Sequence, residues 1–192
     1  MLNLKYNKGG IIMNKKKVFT IFFLSFTILI FGIFALFNNK KEVYHISNIN
    51  GIQIKGDTTR YPVKLLEKID GDTIIVIFNN KELKVRYLLI DTPETVKPGT
   101  PVQKYGPEAS NLNGEILKKA KKIELEFDIY EKQDKYHRAL CYVYADGKSV
   151  QEQLLTAGLA EIKYIKEPDT RYLKIFKKAQ SVAKSNKRNL WA

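Results

Sequence analysis

The sequence predicts an α+β, mainly β domain: a small five-stranded barrel with three helices at its edge, preceded by one hydrophobic helical segment. Three observations carry this. Short β-branched or alternating runs bounded by turn residues recur between Tyr61 and Ala145. Three stretches with helical apolar spacing are interspersed but do not alternate regularly with the strands, which argues against a parallel α/β sheet. The N-terminal segment has a composition of its own.

Of 192 residues, 33 are Lys or Arg and 20 are Asp or Glu, a formal net charge of +13. Seven of those lysines and no acid fall in residues 1–41, with seven of the ten phenylalanines. Val18 to Phe37 contains no charge and spans roughly 30 Å as a helix, the thickness of a bilayer's apolar core. Lys15, Lys16 and Lys17 precede it, so residues 1–17 are expected in the cytoplasm and the rest outside. The run is read as an uncleaved transmembrane anchor or a cleaved secretory signal, passably cut after Ala35; lipoprotein processing is excluded because no cysteine is near. The domain is thus expected outside a cell membrane, or secreted if the segment is cleaved. Met13 is an alternative start.

Residues 38–60, with Asn38, Asn39, Asn48, Asn50, Gly51 and Gly56, read as a polar linker, and the folded domain as residues 61–192. Val63 to Ile69 is a first strand candidate. Thr73–Phe78, turning through Asn79-Asn80 into Leu83–Ile90, predicts a hairpin. Lys122–Phe127 alternates apolar and charged residues, as a half-buried strand does, and Leu140–Ala145 ends in the turn pair Asp146-Gly147. Pro107 opens a helix carrying Ala109, Leu112, Ile116 and Leu117. Ser149 caps a second that Gly158 stops. A third is expected from about Asp169 to Ser185. One cysteine, Cys141, excludes an intrachain disulfide and a multi-cysteine zinc site; two histidines, His45 and His137, speak against a His-rich metal cluster.

Three clusters have chemical potential. Asp70-Gly71-Asp72-Thr73, Arg86 with Asp91-Thr92-Pro93-Glu94, and Asp134 to Arg138 each read alone as an ordinary turn. Together they set three carboxylates and two arginines at strand–loop junctions, where a barrel brings its loop ends together. Asp72 and Asp91 are hard oxygen ligands suited to a Ca²⁺- or Mg²⁺-type ion. Arg86 and Arg138 can fork onto phosphate oxygens. Glu94 can reach a water beside the ion. A cation, a base and guanidinium charge are a kit for phosphodiester cleavage.

The strings IDGDT (Ile69–Thr73), RYLLIDTPET (Arg86–Thr95), KYGPEAS (Lys104–Ser110), KKIELEFD (Lys121–Asp128), DKYHRALCYVYADGK (Asp134–Lys148) and LLTAGLAEIKYI (Leu154–Ile165) resemble the staphylococcal nuclease, or thermonuclease, family. The resemblance covers about residues 61–191 in order. It implies an OB-fold, a five-stranded barrel with three helices, and a nuclease using one Ca²⁺ ion on DNA and RNA, leaving 3′-phosphate ends. It implies metal binding by Asp72, Asp91 and the Thr92 carbonyl, and catalysis by Arg86, Glu94 and Arg138. Lys135 and Tyr136 would hold the terminal phosphate and Tyr164 would lie against a base. Two residues depart from the pattern: His137 replaces a glycine, a cost if that position needs φ > 0, and Lys166 replaces an aromatic, offering phosphates a charge in place of a stacking face.

The basic excess and ten tyrosines of residues 42–192 suit single-stranded nucleic acid, and equally an ordinary solvated surface. Single-stranded substrates are expected, and a monomer, with no protein partner inferred. A catalytically silent OB-fold that binds single strands is the rival. The intact set of five side chains favours the enzyme.

Overall fold

The computed structural model describes residues 45–96 and 98–192, with the backbone of Tyr6–Asn7 and Gly10–Ile11. The hydrophobic segment expected at 18–37, and most of the basic segment before it, lie outside the described residues. The chain divides into two compact units, Met1–Glu42 and Val43–Ala192. In the first, β1 (Tyr6–Asn7) pairs antiparallel with β2 (Gly10–Ile11).

The second unit begins earlier than the composition suggests. Within the stretch expected to be a polar linker, β3 (Ser47–Ile49) and β4 (Ile52–Ile54) form a hairpin around Asn50-Gly51, both at positive φ. Ile49 and Ile54 are buried in the main core. Asn79 Nδ2 donates to the Asn50 carbonyl at 2.7 Å, tying this hairpin to the next. The polar residues of 45–56 make the turns while the isoleucines pack, so the linker reading is corrected there.

Five strands close a barrel: β5 (Arg60–Lys68), β6 (Thr73–Phe78), β7 (Lys81–Tyr87), β9 (Ile123–Phe127) and β10 (Ala139–Ala145), after a short β8 (Ile90–Asp91). The order around it is β5-β6-β7-β10-β9 and back to β5, with β10 parallel to β7 and the other pairs antiparallel. This is the expected OB-type barrel. Asn79 and Asn80 both take positive φ, as a two-residue hairpin turn requires. A bulge between Leu65 and Glu67 leaves Leu66 facing solvent, because the extra residue of a bulge falls out of register. In β6 and β7, Ile74, Val76, Val85 and Tyr87 point into the core with the expected period of two.

Two short strands complete the sheets: β11 (Lys148–Ser149) pairs antiparallel with the end of β10, and β12 (Glu161–Ile162) pairs with β8. The helices are α1 (Gly106–Lys119), α2 (Val150–Ala157) and α3 (Leu173–Ser185). Ser149 Oγ accepts from the Glu152 N–H at 3.2 Å, and Gly158 ends α2 at φ +71°, both as the sequence predicts. The Gly158 position also admits no side chain, since a Cβ would meet the Arg188 carbonyl at 2.4 Å. The third helix starts at Leu173, later than expected. Asp169 instead accepts from the N–H groups of Tyr130 (2.6 Å) and Glu131 (2.8 Å), fixing the loop after β9.

β9 also departs from expectation, because all five residues are buried. Glu126 is fully covered: it accepts from Arg171 Nη1 (2.9 Å), the Tyr172 hydroxyl (2.7 Å) and Arg60 Nε (3.3 Å). Burying a carboxylate is tolerable only with such partners. Glu126→Ala is therefore expected to lower unfolding free energy by about 3 kcal/mol, the low end for a broken buried pair because both guanidiniums keep some water. Denaturant titration measures it; a loss near zero would mean the network contributes nothing.

Candidate active site

The loop ends on one side of the barrel enclose a cavity of about 860 Å³. Seven predicted site residues line it: Arg86, Asp91, Glu94, Lys135, Tyr136, Arg138 and Tyr164. The other two are buried: Asp72 pairs with Arg86 of the cavity wall, and Thr92 is bonded to Asp72.

The turn between β5 and β6 presents Asp72. Its Oδ2 accepts from the Thr92 N–H (2.9 Å) and Thr92 hydroxyl (3.1 Å), and its Oδ1 from the Thr73 hydroxyl (3.1 Å). Gly71 permits this approach, since a Cβ there would lie 2.6 Å from Thr92 Oγ1. Two anchors hold the turn. The Asp72 N–H donates to Asp70 Oδ1 at 3.0 Å, and Asn113 of α1 donates from Nδ2 to the Asp70 carbonyl at 2.9 Å. Asn113 is fully buried and also accepts from the Tyr87 hydroxyl at 2.9 Å. Burial pushes the Asp70 carboxyl above its ordinary pKa, against the pull of Arg86, Thr73 and Arg138.

Arg86 is the hub. Its Nη1 pairs with Asp72 Oδ1, and its Nη2 with Asp91 Oδ1 at 2.6 Å. One planar guanidinium thus faces both carboxylates, which fixes them around a common space. Asp91 gives its other oxygen, Oδ2, to Lys163 Nζ at 2.8 Å. That hydrogen bond raises the Lys163 pKa to about 12.

Glu94 is placed by its backbone: its N–H donates to Gln103 Oε1 and its carbonyl accepts from the Gln103 N–H, both at 2.9 Å. The start of α1 abuts the same loop, where a Cβ on Gly106 would meet the Glu94 carbonyl at 2.9 Å.

On the far wall, Asp134 organises the third cluster. Its Oδ1 accepts from the N–H groups of Tyr136 (2.9 Å) and Arg138 (3.0 Å), and its Oδ2 from Arg138 Nε and Nη2, each at 2.7 Å. Burial alone raises the Asp134 pKa, but the hydrogen bonds from Arg138 and Tyr136 outweigh it and hold the carboxyl below its usual value. His137 takes φ +60°, so the position does need the left-handed region and histidine carries the strain a glycine avoids. Tyr164 does the same at φ +55°.

Tyr136 and Tyr164 are 66% and 64% exposed, each beside cations. The Arg138 guanidinium and Lys135 ammonium lie 5.5 and 5.1 Å from the Tyr136 ring centre; Arg86 and Lys163 lie 5.7 and 5.6 Å from that of Tyr164. Exposed aromatics flanked by cations suit bases and phosphates of a single strand. Lys166 lines the cavity too, but it is ion-paired with Glu131 and so offers phosphates less charge than the sequence suggests.

With this geometry, comparison with known proteins is direct. The family model described as "Staphylococcal nuclease homologue" matches residues 84–192. The thermonuclease of Staphylococcus hyicus is 43% identical over 129 residues, 67% of this chain and 75% of that protein. The chain belongs to the staphylococcal nuclease family. Two Bacillus subtilis (strain 168) family relatives, endonuclease YncB and the SPbeta prophage-derived endonuclease YokF, are each 52% identical over 130 residues, 68% of this chain. The matched region spans 61% and 44% of those two proteins.

Sequence reasoning assigned no role to Asp70, Gln103, Asn113, Asp134 or Lys163. Asp70 and Asp134 carry a local signal, one opening the Asp-Gly-Asp turn and the other a carboxylate four residues before an arginine in a turn.

Proposed function

We propose that this protein is a calcium-dependent nuclease that hydrolyses phosphodiester bonds of DNA and RNA, prefers single strands, and leaves 3′-phosphate ends. The observation that carries the reading is the Arg86 fork across Asp72 and Asp91, in one cavity with Glu94. The names thermonuclease and endonuclease borne by relatives point the same way.

The donor set suits a hard divalent ion. Arg86 pairs with both Asp72 and Asp91, and Asp72 is bonded to the Thr92 backbone N–H. Among the described residues no group of three or more His, Cys, Asp or Glu is placed to hold an ion. In this reading, which follows the family resemblance, the protein ligands would be the two carboxylates and the Thr92 carbonyl, with water or substrate oxygens completing the shell. Such a set would admit either ion. Calcium's loose geometry would leave water free to move beside a held phosphate, whereas magnesium demands a tight octahedron and keeps its waters. Once bound, the ion supplies positive charge at a phosphate oxygen. Glu94 takes a proton from the attacking water. Arg86 and Arg138 neutralise charge that builds on the phosphorus oxygens. Arg138 must leave part of its grip on Asp134 to do so. Lys135 and the Tyr136 hydroxyl hold the terminal phosphate while Tyr164 lies against a base.

We further propose that residues 18–37 deliver the domain outside the cell membrane; activity sedimenting with membranes marks an anchor, and activity free in the medium a cleaved signal.

The test of the chemistry is incubation of the full chain, in mild detergent, with denatured DNA and with RNA. Cleavage is expected with Ca²⁺, little or none with Mg²⁺ alone, and none in chelator. Products should release phosphate to a 3′-phosphatase. Robust cleavage in chelator rejects the metal. Binding of single strands without cleavage in any ion favours a silent OB-fold.

A further inference from the structure

In the structure both oxygens of Asp91 hold cations, Oδ1 the Arg86 guanidinium and Oδ2 the Lys163 ammonium. A divalent ion at Asp91 competes with them. Arg86 is committed twice, to Asp72 as well as to Asp91. Lys163 is the cation with another place to go, because its ammonium also lies 3.3 Å from Glu161 Oε1.

The strand pairing explains why such a lysine is there. Glu161 of β12 is the register partner of Asp91 of β8. Like charges directly opposite across an antiparallel pair repel. Lys163, bonded to both carboxylates, relieves that repulsion. Its side chain is 45% exposed, so the ammonium can move between the two acceptors without entering the core.

We propose that Lys163 is a built-in competitor for the metal carboxylate Asp91, with Glu161 as its alternative partner, and that the pair sets the calcium affinity of the site. The inference rests on the calcium reading above. Lys163 withdraws to Glu161 when calcium takes Asp91 Oδ2, so the enzyme engages calcium at higher concentration than two unopposed carboxylates would. Lys163 is a positioning residue in this account, and its effect lies in binding.

The test is calcium titration of the full chain by calorimetry, without substrate, so that no turnover enters the readout. Lys163→Met and Lys163→Gln should each tighten calcium binding by roughly three- to sixfold, the scale of one partly exposed ion pair. Glu161→Gln should weaken it by a similar factor, because Lys163 then has Asp91 alone. Lys84→Met is the control: Lys84 lines the same cavity, and among the described residues it pairs with neither aspartate. Thermal unfolding establishes that each variant is folded. Opposite signs for the Lys163 and Glu161 variants, with Lys84→Met shifting affinity less than Lys163→Met, support the proposal. An affinity in Lys163→Met equal to that of Lys84→Met, or no weakening in Glu161→Gln, overturns it while leaving the calcium site standing. Absence of saturable calcium binding by the unaltered chain overturns the calcium reading, and this proposal with it.

Discussion

Arg86→Lys is expected to lower turnover on single-stranded DNA about a thousandfold, the low end for an arginine that serves phosphoryl chemistry. The substitution keeps the charge, so any loss comes from geometry. Arg86 uses Nη1 for Asp72 and Nη2 for Asp91, and Nη2 also donates to the Ile90 carbonyl at 3.3 Å. A lysine ammonium is a point charge that cannot span both carboxylates in one plane. Two consequences follow. The carboxylates lose their common tether, and the phosphorus oxygens lose the guanidinium N–H groups that Arg86 has left over from its carboxylate partners. The first would appear in calcium affinity and the second in turnover at saturating calcium. Most of the loss is expected in the second, because Asp72 keeps the Thr92 and Thr73 hydrogen bonds that orient it. Steady-state rates at saturating calcium, below the unfolding temperature of the variant, decide it. Turnover within tenfold of the unaltered chain would remove Arg86 from the chemistry.

The ends of the barrel strands were legible because their chemistry sits in short local strings. Asp72, Arg86, Asp91 and Glu94 are each a turn or strand terminus, and turn residues announce themselves. What holds them was not. Asn113 reaches Tyr87 and Asp70 from a helix far along the chain, and Gln103 reaches back to Glu94 from a loop. A neutral amide on a helix has no local pattern that marks a distant partner. Glu126 shows the same limit from the other side. A period-two strand with charges on one face reads as half-solvated, and only the later placement of Arg171 and Tyr172 covers that face. The hairpin at 47–54 was hidden by its turn residues, which dominate the composition although three isoleucines do the packing. Nothing local in the sequence marks Lys163, because its meaning depends on the pairing of β12 with β8.

Glu94→Gln is expected to depress turnover at least about a hundredfold, the usual scale for loss of a general base, while leaving calcium affinity nearly unchanged. The amide matches the carboxylate in shape but cannot accept a proton from water at neutral pH. Position is preserved because the loop is held by main-chain groups: the paired hydrogen bonds to Gln103 and the packing of Gly106 involve the Glu94 backbone alone. A drop in rate therefore reports proton transfer and not displacement of the loop. Calcium affinity is the discriminating control, since Asp72 and Asp91 are assigned to the ion and Glu94 to the water. Asp72→Asn and Asp91→Asn should instead weaken calcium binding and turnover together. Single-turnover cleavage with enzyme in excess isolates the chemical step from product release. A Glu94→Gln rate within about tenfold of the unaltered chain would sink Glu94 as the base, since an acid–base contribution below 10² is smaller than positioned side chains supply. A parallel fall in calcium affinity would instead make Glu94 a ligand, and the proton acceptor would then have to be sought among the other carboxylates that line the cavity, Asp70 first.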